Sequence, residues 1–116
     1  MKLLVKYALF TMLSGLLACS YPLVEKESPY PNTLKSGTRF RFNLKEDHQR
    51  AETWQLVQDW EKGSFQVLGN TWHGAEKGLD INLQALKPGN YTLTAFKRRY
   101  QDTIEVKRYL LTIVAN

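Results

Sequence analysis

Cysteine is almost absent from this sequence. Cys19 stands alone, so no disulfide can form within the chain and no metal site built on several thiolates is available. Histidine is nearly as scarce. His48 and His73 are the only two, and neither sits in a pattern spaced for zinc ligation or for a nucleophile, base and orienting group. Long apolar runs are missing: the stretch from Tyr7 to Ala18 covers 12 residues, against roughly 20 for a helix that crosses a bilayer. Beyond it, no segment keeps a 3.6-residue hydrophobic period for about ten residues, which argues against a helical domain. There is no acidic excess either. The formal net charge is +5, and it falls to +3 once Lys2 and Lys6 are set aside. That surface is mildly basic, too weak a field to mark a nucleic-acid-binding protein.

What is present begins at the N-terminus. Lys2 and Lys6, the apolar run and then small residues follow the order of a secretory signal peptide. The segment Leu16-Leu17-Ala18-Cys19 resembles the lipobox of bacterial lipoproteins. That resemblance implies that residues 1–18 are a signal peptide and that Cys19 becomes the first mature residue, lipidated there with palmitate-type acyl chains. One acyl chain binds a membrane marginally, whereas two or three hold permanently. By the same resemblance Ser20, following the cysteine, directs the protein to the outer membrane on the periplasmic side. No cofactor is expected beyond the covalent lipid on Cys19, and no metal.

Three of the four prolines, Pro22, Pro29 and Pro31, fall in residues 19–36. They deny helix and favour extended backbone, so this stretch reads as a tether about 15 residues long, with an edge strand around Leu34 as the alternative. From residue 37 to 116 the period becomes two. Phe40, Phe42 and Leu44 alternate with Arg39, Arg41 and Asn43, the pattern of a half-buried strand. Lys45–Glu52 reads as a loop or helical turn. Further strands are expected at Trp54–Val57, Ser64–Leu68, Leu79–Gln84, Tyr91–Ala95 and Ile104–Val114, with a Gly-rich connection at 69–78 and a bulge near Lys107 and Arg108. Six or seven short strands separated by turns predict an all-β sandwich.

Leu86-Lys87-Pro88-Gly89-Asn90-Tyr91 resembles the corner entering the penultimate strand of fibronectin type III and other immunoglobulin-like sandwiches. An aromatic first strand, Trp54 and this same corner resemble the Tyr-Tyr-Tyr domain of some bacterial sensor kinases. The resemblance implies an immunoglobulin-like antiparallel β-sandwich in which Leu86, Pro88, Gly89 and Tyr91 form a structural corner. It also implies a docking module without catalytic residues.

Two features could carry binding. Lys97, Arg98, Arg99 and Tyr100, with Lys107 and Arg108, would gather at one end of a hairpin and suit phosphate or carboxylate groups, including anionic lipid and lipopolysaccharide phosphates. The same cations also read as a solvated hairpin protecting an exposed edge. Trp72 and His73 lie in the Gly-rich connection, where an aromatic can anchor a partner. The leading expectation is a non-enzymatic protein-binding or assembly module of an envelope complex, of the secretion or conjugation accessory type. The alternatives are a periplasmic inhibitor of a lytic enzyme or protease, inserting loop 69–78, and a lipid- or glycan-binding protein. Mass spectrometry of the protein from an envelope fraction should find residue 19 acylated and residues 1–18 removed; an unmodified Cys19 would overturn the lipoprotein reading.

Overall fold

The computed structural model describes residues 21–116; Cys19 and the signal segment lie outside them. Seven strands build two sheets. In chain order they are β1 (Pro31–Lys35), β2 (Arg39–Leu44), β3 (Glu52–Leu56), β4 (Phe65–Trp72), β5 (Leu79–Ala85), β6 (Gly89–Arg99) and β7 (Asp102–Val114). One sheet has the order β1-β7-β6-β3 and the other β2-β5-β4. This is an immunoglobulin-like β-sandwich.

Alternation in the sequence produces the core directly, because successive side chains on a strand face opposite sides. Phe40, Phe42 and Leu44 on β2, with Leu79, Ile81, Leu83 and Ala85 on β5, bury against Trp54, Leu93, Ala95, Tyr109, Leu111 and Ile113 of the facing sheet. Aromatic rings run through this layer. Phe42 lies 4.4 Å from Tyr109 across the sheets, Phe40 meets Phe42 and Phe65 edge to face, and Phe65 takes Tyr91 and Trp60 on its other sides. Full burial of each such ring stabilises by about 1.5–3 kcal/mol. Trp60, on the connection between β3 and β4, therefore plugs the core edge rather than offering itself to a partner.

Several expectations are corrected. Most of the Pro-rich segment read as a tether belongs to the sandwich. Val24 is a core residue, Leu23 bridges Arg41 in parallel, and β1 pairs with β7 from Pro31–Leu110 to Lys35–Val114. Proline tolerates these places because an edge strand leaves some N–H groups unpaired. β1 runs parallel to β7, so the sandwich is not wholly antiparallel. The connection expected at 69–78 begins later, because β4 continues to Trp72. Its register shifts between Val67 and Gly69, and Gly69 accepts φ of +134° there, so the pairing resumes beyond the bulge. The bulge expected at Lys107–Arg108 lies instead where Lys97–Arg98 faces Thr103–Glu105.

The corner before β6 is held by Tyr91, whose hydroxyl donates to the Lys87 carbonyl at 2.8 Å. At the opposite end, Gly78 lets the β4–β5 connection pass close to the end of β2. It has φ of +81°, and a Cβ there would meet the Leu44 carbonyl oxygen at 2.8 Å. Gly78→Ala should lower the unfolding free energy by about 2 kcal/mol or more, whereas Gly74→Ala should cost only about 1 kcal/mol for its backbone conformation. Gly74 has a similar positive φ and nothing within 4 Å, and urea denaturation of both variants checks the difference.

Candidate functional site

Three connections meet at one end of the sandwich: 45–51 between β2 and β3, 73–78 between β4 and β5, and the two-residue turn Tyr100-Gln101 between β6 and β7. Pairing fixes this convergence. Leu44 and Trp72 both face Leu79, while Glu52 faces Arg99, which faces Asp102. The end of each sheet thus carries its own turns side by side.

The first connection is shaped by polar side chains. Asp47 caps a single 3-10 turn, His48–Arg50, by accepting the Gln49 N–H. Ala51 closes it with φ of +57°. Glu46 is buried: it accepts the Trp54 N–H at 2.6 Å with one carboxylate oxygen and meets His48 Nε2 at 2.8 Å with the other. The His48 ring then stacks on Trp72, centroids 4.2 Å apart and planes 21° apart, joining the first connection to the end of β4, where the second connection begins. Trp72 keeps 40 % of its surface exposed. Beside this stack lies a cleft of about 500 Å³ lined by Glu46, His48, Glu52, Trp72, Ala75 and Lys97.

His73 turns to the outer face of the three-stranded sheet. Its Nε2 lies 2.8 Å from Asp80, which also receives Asn43 at 2.8 Å and Arg41 at 3.2 Å. Burial pushes the Asp80 carboxyl upward, but the Asn43 and His73 hydrogen bonds and the Arg41 charge outweigh it and hold the group below the usual aspartate range. Trp72 and His73, adjacent in sequence, therefore serve different faces.

The cations expected to form one basic patch are mostly spent on carboxylates. Glu52 takes Arg99 at 2.6 Å and Lys97 at 3.4 Å, and Lys97 also takes Glu105 at 3.1 Å. The Arg99 hydrogen bond, opposed by burial and aided by the Asp47 N–H and Lys97, lowers the Glu52 carboxyl below its ordinary value. Burial depresses the Lys97 ammonium, yet Glu105 and Glu52 raise it above the usual lysine value overall. Lys97 and Lys107 lie over the Trp54 ring, and Lys107 reaches Glu27 at 4.0 Å. Arg98 folds over Phe96 on the outer face, and Arg108 faces Thr94 there. Alternation decides this split: Lys97, Arg99 and Lys107 share the inward parity, Arg98 and Arg108 the outward one.

Tyr100 is different. It is 82 % exposed and adopts φ of +55°, a conformation that favours glycine or asparagine over an aromatic. Nothing in the fold accounts for a bulky ring at that turn.

The same end offers no obvious covalent chemistry. Neither histidine has a hydroxyl or thiol among its hydrogen-bond partners, and Ser64 is buried near the opposite end. Among the described residues, no three His, Cys, Asp or Glu side chains gather to hold a metal ion. What the end presents is a braced surface of three turns.

No family model and no curated protein sequence matches the chain. A solved structure does. The chain is similar in fold to the crystal structure of the cysteine protease inhibitor EhICP2 from Entamoeba histolytica. The TM-score is 0.66 at 13 % identity, over 82 % of this chain and 94 % of that one. A likeness at that identity shows the shared sandwich.

The residues that brace the site were not singled out from sequence, although a signal exists. Glu46 continues the inward parity of Phe40, Phe42 and Leu44, and Glu52 precedes Trp54 and Leu56 on theirs. Glu46 thus stands at an inward position just past the end of β2, and Glu52 at the first, inward position of β3. Asp80 is on an outward position and is covered only by tertiary neighbours. Because Asp80 and Glu52 are held below their ordinary values, the stability they contribute is present above the unfolded carboxylate range and lost as pH falls through the folded values. Unfolding free energy measured in urea should drop between about pH 5 and 3, less steeply in Asp80→Asn. Tyr109, which burial, aided by Glu27 and Glu105, raises to about 12, adds a loss of stability above about pH 10.

Proposed function

We propose that this protein is a non-enzymatic inhibitor that presses its three-turn end into the active-site cleft of a peptidase, of the cysteine class. The observation that carries the reading is Tyr100, a strained and almost fully exposed aromatic at the tip of the β6–β7 hairpin. Strain at an exposed residue that the core does not need is characteristic of a binding position. Aromatic side chains are among the residues that dominate interface energies. Trp72 and the flanking turns supply a rigid rim, which lowers the ordering cost of association. The fold shared with EhICP2, a cysteine protease inhibitor, favours a peptidase as the partner over an envelope assembly partner.

The lipoprotein reading joins this one. Acylation of Cys19 would hold the inhibitor on the outer membrane, facing the periplasm. The expected basic patch contributes little to the proposal, since Lys97 and Arg99 are engaged by Glu52 and Glu105.

Titration of the protein against papain and against a serine peptidase such as trypsin tests the reading. Saturable inhibition of papain alone is expected, and Tyr100→Ala should weaken it by about tenfold or more without changing the unfolding midpoint. Absence of inhibition across cysteine peptidases would overturn the proposal.

A further inference from the structure

We infer that Glu46 and His48 form a proton-dependent latch that positions the binding end by joining its first two connections. The inference rests on the reading above only for what the end binds; the latch itself stands on geometry. Glu46 is one of four buried polar or charged residues of the domain, with side-chain exposure of 6 %. One of its oxygens is committed to the Trp54 backbone N–H, which ties it to the start of β3. The other meets His48 Nε2 at 2.8 Å. No lysine or arginine forms an ion pair with Glu46 among the described residues. The single group placed to neutralise this buried carboxylate is the imidazole of His48.

A buried carboxylate without a compensating charge is costly. Protonated His48 supplies that charge through a short charge-assisted hydrogen bond, whereas neutral His48 supplies only an ordinary donor. Histidine changes charge between about pH 5 and 8, so the grip on Glu46 is strongest toward acid and slackens toward alkali. His48 passes this change to the second connection through its stack on Trp72, strengthened by an imidazolium lying over the indole face.

Among the described residues, no cation other than His48 lies within ion-pair distance of the Glu46 carboxylate. From its own connection His48 neighbours Lys45, Asp47 and Arg50, and the last two pair with each other at 3.6 Å. From β3 and β6 the cleft presents Glu52 and Lys97, already joined to each other and to Arg99 and Glu105. From β4 and the second connection come Trp72 and Ala75, which carry no charge. His73 pairs with Asp80 on the other face of the sheet and has a different set of partners.

Tryptophan fluorescence of the whole protein, titrated from about pH 5 to 8, tests the latch without any partner. A protonated imidazole stacked on an indole quenches it, so emission should rise with pH in the wild type. His48→Phe, which keeps a stacking ring and removes the proton, should abolish the rise, and His73→Gln should leave it. Glu46→Gln retains an acceptor for the Trp54 N–H but removes the charge that holds the imidazolium, and should reduce the amplitude of the rise. A rise that persists in His48→Phe, or that is unchanged in Glu46→Gln, would overturn the inference. Inhibition of papain should weaken by about fivefold across the same interval in the wild type and not in His48→Phe. A protein that shows the fluorescence titration yet inhibits no peptidase would retain the latch and sink the inhibitor reading.

Discussion

The two sheets meet on aromatic rings. Phe42 lies 4.4 Å from Tyr109 across the interior, and from it a continuous chain of contacts runs through Phe40 and Phe65 to Tyr91 and Trp60. The other features of the domain depend on that apposition. With one cysteine in the sequence, no covalent cross-link holds the sheets together, so burial must. The rings do so while fixing the separation of the layers, because edge-to-face packing is directional where aliphatic packing is not. Once β2 is set against β7, the connections leaving β2 and entering β7 are carried to the same end, and the turn between β4 and β5 joins them through the pairing of β5 with β2.

Charge completes what the rings begin. Glu46 and Glu52 occupy inward positions beyond the apolar part of their strands, where a leucine would have lengthened the core. Instead each carboxylate gathers donors from the neighbouring elements: the Trp54 N–H and His48 for one, the Asp47 N–H, Lys97 and Arg99 for the other. A buried carboxylate is a poor source of net stability but a demanding one in geometry, since every unpaired oxygen is penalised. The turns at this end are thereby held in one arrangement. An exposed Tyr100 in a left-handed conformation is affordable only on such a frame.

The legible part of this fold was the part governed by local alternation. Residues 38–44 and 79–84 declare their faces by period two, and the sandwich follows from counting such segments. The illegible part was set by tertiary neighbours. β1 and the Leu23–Val24 segment carry prolines and little alternation, and they pair, one as a strand and the other as a single bridge, because β7 and β2 have edges to fill. Trp72 reads as a loop residue because Gly69 precedes it, yet a glycine at a bulge extends a strand as readily as it ends one. The clustering of Lys97, Arg98, Arg99, Lys107 and Arg108 was foreseeable from a hairpin. Their division between two faces followed from parity, and the neutralisation of Lys97 and Arg99 required knowing that Glu52 and Glu105 lie alongside. Tyr100 was visible as an aromatic among cations, but its left-handed backbone belongs to the turn and not to the residue.

The position of the N-terminal segment bears on how a lipidated protein would stand. The Tyr21 carbonyl accepts from Arg41 Nε, Pro22 accepts the Arg41 N–H, and Leu23 runs parallel to β2. A parallel segment begins toward the start of its neighbour, so Tyr21 points back toward Arg39, away from the end that carries 45–51, 73–78 and 100–101. One residue, Ser20, separates Cys19 from Tyr21, and the two steps reach about 7 Å at full extension. An acyl group on Cys19 would therefore hold the sandwich against the bilayer by its far half rather than on a long leash, with the three turns directed outward. Under the proposed inhibitor reading, a domain so mounted would meet soluble or surface-held peptidases with its three turns already presented, and the anchor would partly complete the search for orientation that slows ordinary docking.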